Sequence, residues 1–295
     1  MAYETIEVEP LAGSIGAEIA GVDLSKPLSN RQSDEVYRAF LEYSVVFFRD
    51  QDLSPEQEIA AGRVFGEPYS IPFVKPMDGY PELIDIIKEP EDVKMYNFGG
   101  RWHHDVSFQE EPAKGALLYA LEAPKWGGDT VFASMYAAYE TLSDGMKALL
   151  EPLVGLHSGR NSYGASGKFV GGANSSRSMQ IENTAEGDAV MEHPVVRTHP
   201  ETGRKCLFVN QNYTVGIKGM EEREARPILD FLLEHATRDE FTCRFRWRSG
   251  SVAVWDNRAA MHHAINDYDG ARQHMRRVTL KGDRPFREQP SAGAE

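Results

Sequence analysis

Cysteine is nearly absent from this 295-residue chain: Cys206 and Cys243 are the only two. Both lie in apolar, strand-like runs, where a reduced buried thiol is the common state, so no disulfide framework is expected. Long hydrophobic runs are missing too. The most strongly apolar stretch, Val45-Val46-Phe47-Phe48, is far shorter than the ~20 residues of a membrane-spanning helix, and no basic segment precedes an apolar run at the N-terminus. The expectation is a cytoplasmic protein with no membrane partner. Positive charge is in deficit: 32 Lys and Arg against 45 Asp and Glu give a net charge of −13. A polyanion needs a concentrated basic face, so no nucleic-acid partner is expected. Low-complexity tracts and internal repeats are also absent, and 41% apolar with 26% charged residues is the make-up of an ordered globular protein.

What is present is mostly β patterning. Residues 3–25 read as short strands broken by glycines, Asn30 to Leu41 carries apolar residues at helical spacing, and Ser44 to Arg49 reads as a strand. Ser54 as N-cap with Pro55 in the first turn predicts a second helix, ended by Gly66-Glu67-Pro68. Leu83 to Ile87, Lys114 to Ala120 and Gly128 to Phe132 read as strands and Met135 to Leu153 as helix. Further strands are predicted at Val195 to Thr198 and Lys205 to Val209, and a helix at Glu221 to Ala236. In Phe241 to Arg248 apolar and basic residues alternate strictly, which puts the three arginines on a solvent face. Ser251 to Trp255 and Gln273 to Lys281 complete the strands. Two stretches rich in Pro, Gly, Ser or Asn, about 69–82 and 158–192, read as lids, and a polar tail occupies 287–295. No linker divides residues 1–286, so one domain is expected.

Chemistry concentrates in Trp102-His103-His104-Asp105 and in Trp255-Asp256-Asn257-Arg258, which leads to His262-His263. In a strand, residues i and i+2 project from one face, so His103 and Asp105 can reach one ion while His104 points away. Two histidines and one carboxylate on one face of an octahedron leave three adjacent positions open, the arrangement of non-haem Fe(II) oxygenases. A zinc hydrolase uses similar ligands with one open position, and a catalytically silent β-barrel binding protein is a third reading.

Asn97-Phe98-Gly99-Gly100-Arg101-Trp102-His103-His104-Asp105, Gly127-Gly128-Asp129-Thr130 and the run from Trp255 to His262 occur in that order. As a set, from about Ile6 to Phe286, they resemble the taurine dioxygenase / 2,4-D dioxygenase family of Fe(II)/2-oxoglutarate-dependent dioxygenases. The resemblance implies a mainly β fold with flanking helices, a double-stranded β-helix (jelly roll, cupin-like). It implies iron held by His103, Asp105 and His262, with His263 facing away, and Thr130 bonding the cosubstrate. It implies Fe(II), 2-oxoglutarate and O2 as cofactors. The implied reaction decarboxylates 2-oxoglutarate to succinate and hydroxylates a small anionic substrate, with cleavage of the product where a leaving group sits on the hydroxylated carbon. A homo-oligomer is the expected assembly.

The chain departs from the family in two places. Family members carry arginines eleven and fifteen residues after the distal histidine, the first for 2-oxoglutarate and the second often for a substrate anion; here those positions are Gln273 and Arg277. Arg277 is the favoured replacement; a bulge that turns Arg272 inward and a weaker hold on the cosubstrate are the alternatives. The basic cluster of Arg272, Arg276, Arg277 and Lys281 suits an internal anion site. Taurine-type members also carry polar residues where this chain has Ile71 to Pro76 and Gly99. The stretch from Phe73 to Glu82 looks more like the aryloxyalkanoate (phenoxypropionate) branch, which makes Phe73, Val74, Lys75 and Met77 substrate-pocket candidates, with Asn210 and Tyr213. The expected substrate is therefore aryloxyalkanoate-like or sulfonate-like.

Overall fold

The computed structural model describes residues 2–92, 99–167, 181 and 183–288. The strands in chain order are β1 (Glu7–Pro10), β2 (Ala17–Ala20), β3 (Val45–Phe48), β4 (Pro68–Tyr69), β5 (Leu83–Lys88), β6 (Gly115–Glu122), β7 (Thr130–Ser134) and β8 (Val154–Ser158). Then follow β9 (Val190–Pro194), β10 (Val196–Thr198), β11 (Lys205–Leu207), β12 (Thr214–Ile217), β13 (Thr242–Phe245), β14 (Val252–Asp256), β15 (Ala260–Ala264) and β16 (Gln273–Leu280). The helices are α1 (Asn30–Tyr43), α2 (Pro55–Gly62), α3 (Met135–Glu140), α4 (Asp144–Leu150) and α5 (Glu222–Ala236).

Two sheets form the barrel. The larger runs β1-β2-β3-β14-β6-β16-β4, with β5 also on β16; the smaller runs β13-β7-β15. Chain order crosses between them: β6, β14 and β16 belong to the larger sheet and β7, β13 and β15 to the smaller. This is the expected double-stranded β-helix. The strands are apolar on both faces because both faces are covered. In β3, Val45 and Phe47 point between the sheets, while Val46 and Phe48 meet α1 and α2 on the outside. Ala253 and Trp255 of β14 likewise point inward, and Val252 and Val254 outward. On the far side, α3 and α5 pack on Ala133 and Met261 of the smaller sheet.

The Phe241 to Arg248 alternation holds: Cys243, Phe245 and Trp247 are buried and Arg244, Arg246 and Arg248 exposed. Both cysteines are buried free thiols. The predicted Met135 to Leu153 helix is two helices, because the Ser143 side chain caps Met146 N–H and restarts the second one. Strands β9 and β12 lie where no strand is predicted; they flank β8 in a small separate sheet. The 158–192 segment leaves β8 at Ser158 and returns through β9, and residues 168–180 and 182 of it lie outside the described residues, as do 289–295 of the tail. Among the described residues no helix is long and apolar enough to cross a membrane.

Strand alternation splits the basic cluster near the C-terminus. Arg276 points to the helix side of β16, where Nε donates to Glu58 Oε2 at 2.8 Å and Nη2 to Leu53 O at 2.6 Å. Both side chains are buried. Arginine cannot shed its charge, so Glu58→Leu leaves a buried cation without its carboxylate and is expected to cost about 3–5 kcal/mol. The double variant Glu58→Leu/Arg276→Met should recover most of that loss, as read by urea unfolding.

Candidate metal centre and anion pocket

The distal histidine is placed by β15. Its neighbour His263 faces the other way and lies with its ring centroid 4.4 Å from that of Trp102. His103 is not in a regular strand. It makes a single antiparallel bridge to His262, with His103 N–H donating to His262 O at 3.1 Å and His262 N–H returning to His103 O at 3.0 Å. The chain then turns at once, and Val106 takes φ +45°, a conformation a β-branched residue rarely adopts.

Asp105 therefore has no strand partner, and Asn257 stands in for one. The Asn257 side-chain Oδ1 accepts from Asp105 N–H at 2.6 Å and its Nδ2 donates to Asp105 O at 3.0 Å, the two bonds a neighbouring strand would have made. Nδ2 also donates to Ala113 O. Trp255 Nε1 donates to Asp105 Oδ2 at 3.1 Å. The spacing His103-x-Asp105 brings its ligands together, but through a bridge and a clamped turn rather than the pleat of a strand. The run Trp255-Asp256-Asn257-Arg258 reads as a motif without assigned roles in the sequence; its alternation divides the work. Trp255 and Asn257 serve Asp105, while Asp256 is bidentate to Arg258 and accepts from His199.

One ligand atom from each of His103, Asp105 and His262 lies within 4.8 Å of the others. His103 Nε2 is 3.5 Å and His262 Nε2 3.8 Å from Asp105 Oδ1. His103 Nδ1 sits 2.7 Å from Arg101 O, which fixes its proton on Nδ1 and leaves the Nε2 lone pair facing inward. Burial and the neighbouring His103 ring hold His262 well below the usual imidazole range, so it is neutral and able to ligate. Burial opposes ionisation of Asp105, yet Arg277 and the two imidazoles outweigh it and hold the carboxyl well below the usual range. Two imidazoles and one carboxylate, all buried and convergent, are the donor set that a divalent cation of the Fe(II) type fits.

Arg277 reaches the same carboxylate: Nη2 lies 2.8 Å from Asp105 Oδ2 and Nη1 3.2 Å from Oδ1. Its Nε donates to Thr279. The arginine favoured for the far end of the cosubstrate thus stands at the metal end. Arg272 is outside the cavity, paired on the surface with Glu89 and Glu122, so the bulge alternative fails: the irregularity in β16 falls at His274/Met275 and leaves Arg272 facing out.

A cavity opens from the triad. Its lining combines Thr130, Trp247, Gln273, Tyr268 and Lys88 with a buried apolar cluster of Ile71, Val74, Ile84, Val106, Tyr163 and Tyr213. Thr130 Oγ1 accepts from Trp247 Nε1 at 3.0 Å, which leaves its own proton to donate. Gly99 has φ +77°, and a Cβ there would come within 3.2 Å of the His103 ring, so this position keeps the space beside the triad open. Asn97 and Phe98 of the same motif lie outside the described residues.

Of the other substrate-pocket candidates, Phe73 packs behind the wall against Phe108 and Tyr163, Lys75 is exposed near Asp78, and Met77 packs toward the helix-side core. Asn210 is buried and already partnered: Oδ1 accepts from Asn212 and Tyr213 N–H of its own loop, and Nδ2 donates to Ser107 Oγ near the triad turn. Lys88, Trp255 and Asn257 carry no assignment in the sequence, because their placement depends on strand neighbours far away in the chain.

Residues 7–279 match the model of the family described as taurine catabolism dioxygenase TauD, TfdA family. The chain is 35% identical over 281 residues to the alpha-ketoglutarate-dependent sulfate ester dioxygenase of Pseudomonas putida, covering 95% of this chain and 91% of that protein. A crystal structure of a taurine dioxygenase from Burkholderia xenovorans superposes with TM-score 0.80 at 36% identity, over 96% of this chain and 93% of that one. A crystal structure of AAD-2 in complex with Mn(II) and N-oxalylglycine superposes with TM-score 0.78 at 32% identity, over 96% of this chain and all of that one, 100%.

Metal affinity tests the clamp. Asp105→Ala is expected to abolish Mn(II) binding measured by electron paramagnetic resonance titration. Asn257→Ala, which touches no ligand atom, should weaken it by about 10- to 100-fold. Equal affinity in Asn257→Ala and the unmodified protein would remove the positioning role.

Proposed function

The chain belongs to the taurine catabolism dioxygenase TauD, TfdA family, and from that premise we propose that His103, Asp105 and His262 hold the Fe(II) of a 2-oxoglutarate-dependent dioxygenase acting on small anionic substrates. The observation that carries the assignment is the convergence of three buried ligand atoms at the inner end of a mostly apolar cavity. The enzyme uses Fe(II), 2-oxoglutarate and O2, and converts 2-oxoglutarate to succinate and CO2 as it hydroxylates its substrate. The bound iron supplies the oxygen chemistry; the protein supplies binding, orientation and exclusion of water. Family membership removes the zinc-hydrolase and silent-barrel alternatives.

Each side chain has a part in that scheme. Thr130 donates to the cosubstrate from the space between the sheets. Arg277 keeps Asp105 ionised and leaves a cation beside the metal for an anionic group of the substrate. Val74, Ile84, Tyr163 and Tyr213 give the cavity an apolar wall, which suits an organic tail behind an anionic head. A single antiparallel bridge, Val74 to Ile181, joins the 69–82 and 158–192 segments. A hydroxyl placed on a carbon that bears an oxygen or sulfur leaving group collapses to a carbonyl and releases that group. Aryloxy acids, sulfonates and sulfate esters all fit this chemistry.

The test is turnover. Anaerobic protein with Fe(II) and 2-oxoglutarate should give a weak visible charge-transfer band, and in air a panel of aryloxy acids, sulfonates and alkyl sulfates should contain a compound that accelerates succinate release. A colourless mixture with no succinate above background across the panel would sink the proposal.

A further inference from the structure

A dicarboxylate held by a metal at one end needs a cation at the other. The cation at the metal end is Arg277, committed to Asp105. Gln273, on the same face of β16, is four residues away, about 13 Å along the strand at the usual rise, and it is neutral. The far end of the cavity must therefore find its charge on another element.

Strand β5 provides one. It pairs antiparallel with β16 so that Lys88 is the Cα partner of Gln273 and Ile84 that of Arg277. Alternation sends Leu83 into the helix-side core and Asp85 to His274, while Ile84, Ile86 and Lys88 face the cavity and line it. The Lys88 side chain is only 11% exposed, although lysine is among the residues least often buried. Among the described residues its Nζ donates to the neutral amide oxygen of Asn266 at 2.7 Å, lies 3.9 Å above the Tyr268 ring, and makes one longer ion pair, 3.5 Å to Asp269, itself 55% exposed. Tyr268 donates in turn to Gln273 Oε1 at 2.7 Å, which ties lysine, tyrosine and glutamine into one block. Gly128 closes the block with φ +68°, and a Cβ there would approach Gln273 Nε2 and Tyr268 to 3.1 Å. Arg101 also lines the cavity but is exposed, and Asp92, the nearby acid on the wall, accepts from Glu89 N–H.

We propose that Lys88 is the cation that binds the far carboxylate of 2-oxoglutarate in this protein, acting from β5 in place of a charge on position 273. The carboxylate exchanges with the loose Asp269 contact, Thr130 and the Gln273 amide donate beside it, and the Tyr268 ring holds the ammonium in place. This rests on the 2-oxoglutarate reading above.

The experiment is anaerobic calorimetric titration of Mn(II)-loaded protein with 2-oxoglutarate and, separately, with 2-oxobutyrate, which lacks the far carboxylate. Lys88→Met is expected to weaken 2-oxoglutarate by about 10- to 100-fold and to change 2-oxobutyrate and Mn(II) affinity by less than about threefold. Lys88→Arg, and the relocated charge in Lys88→Met/Gln273→Arg, should restore the preference for 2-oxoglutarate; both also report on the site should Lys88→Met fold poorly. A 2-oxoglutarate affinity unchanged in Lys88→Met, or lost equally with 2-oxobutyrate affinity and unrescued by either second variant, overturns the proposal. An unmodified protein that binds neither keto acid overturns the dioxygenase reading itself, and this assignment with it.

Discussion

Everything at the centre follows from keeping one carboxylate ionised where water is scarce. Asp105 is buried, and burial alone would favour its neutral form. Three sources of compensation meet there: the fork of Arg277, the indole N–H of Trp255, and the imidazoles of His103 and His262. Each source comes from a different strand, β16, β14 and β15 with its bridge to His103. A barrel that crosses from sheet to sheet is what lets strands so distant in sequence face one atom. The Asn257 clamp then solves a local problem, because a turn directly after a ligand would otherwise leave backbone groups buried and unpaired.

Much of this was legible in the residues, for physical reasons that differ from case to case. Strict alternation in Cys243 to Arg248 fixed which face was inside, since a pleated strand gives no other option. Ser54-Pro55 marked a helix start because its capping bonds are local. The converging triad of His103, Asp105 and His262 was legible as residue types, but the reason they converge was not: a bridge and a turn do not announce themselves in hydrophobic periodicity. Short strands such as β9 and β12 were missed because each pairs with β8 across a long excursion, which no local pattern encodes.

The arginines mark the limit most clearly. Period-two reasoning correctly separated Arg276 from Arg277, and it kept Gln273 on the cavity face. It could not say that Arg277 would fork onto Asp105, because that contact joins β16 to a turn some 170 residues earlier, with |i−j| of 172. Nor could it pair Lys88 with Gln273. Charge in a sheet is read across strands as much as along them, and cross-strand register is a tertiary property.

That distinction also bears on how the cavity divides its tasks. Arg277 is pinned to a metal ligand by two short contacts and to Thr279 by a third, so its position is set before any ligand arrives. Lys88 is held by an amide oxygen, a ring face and a distant carboxylate, all of them weaker than a close ion pair. Under the proposed function, a rigid cation beside the metal would select for an anionic head at a fixed distance from the reacting carbon. An adaptable cation at the far end tolerates small shifts of a flexible dicarboxylate. The apolar walls between mouth and metal contribute area without direction. Under the proposed function, substrate choice within the anionic class would turn on how far the reacting carbon lies from the charged group, more than on which acid carries the charge.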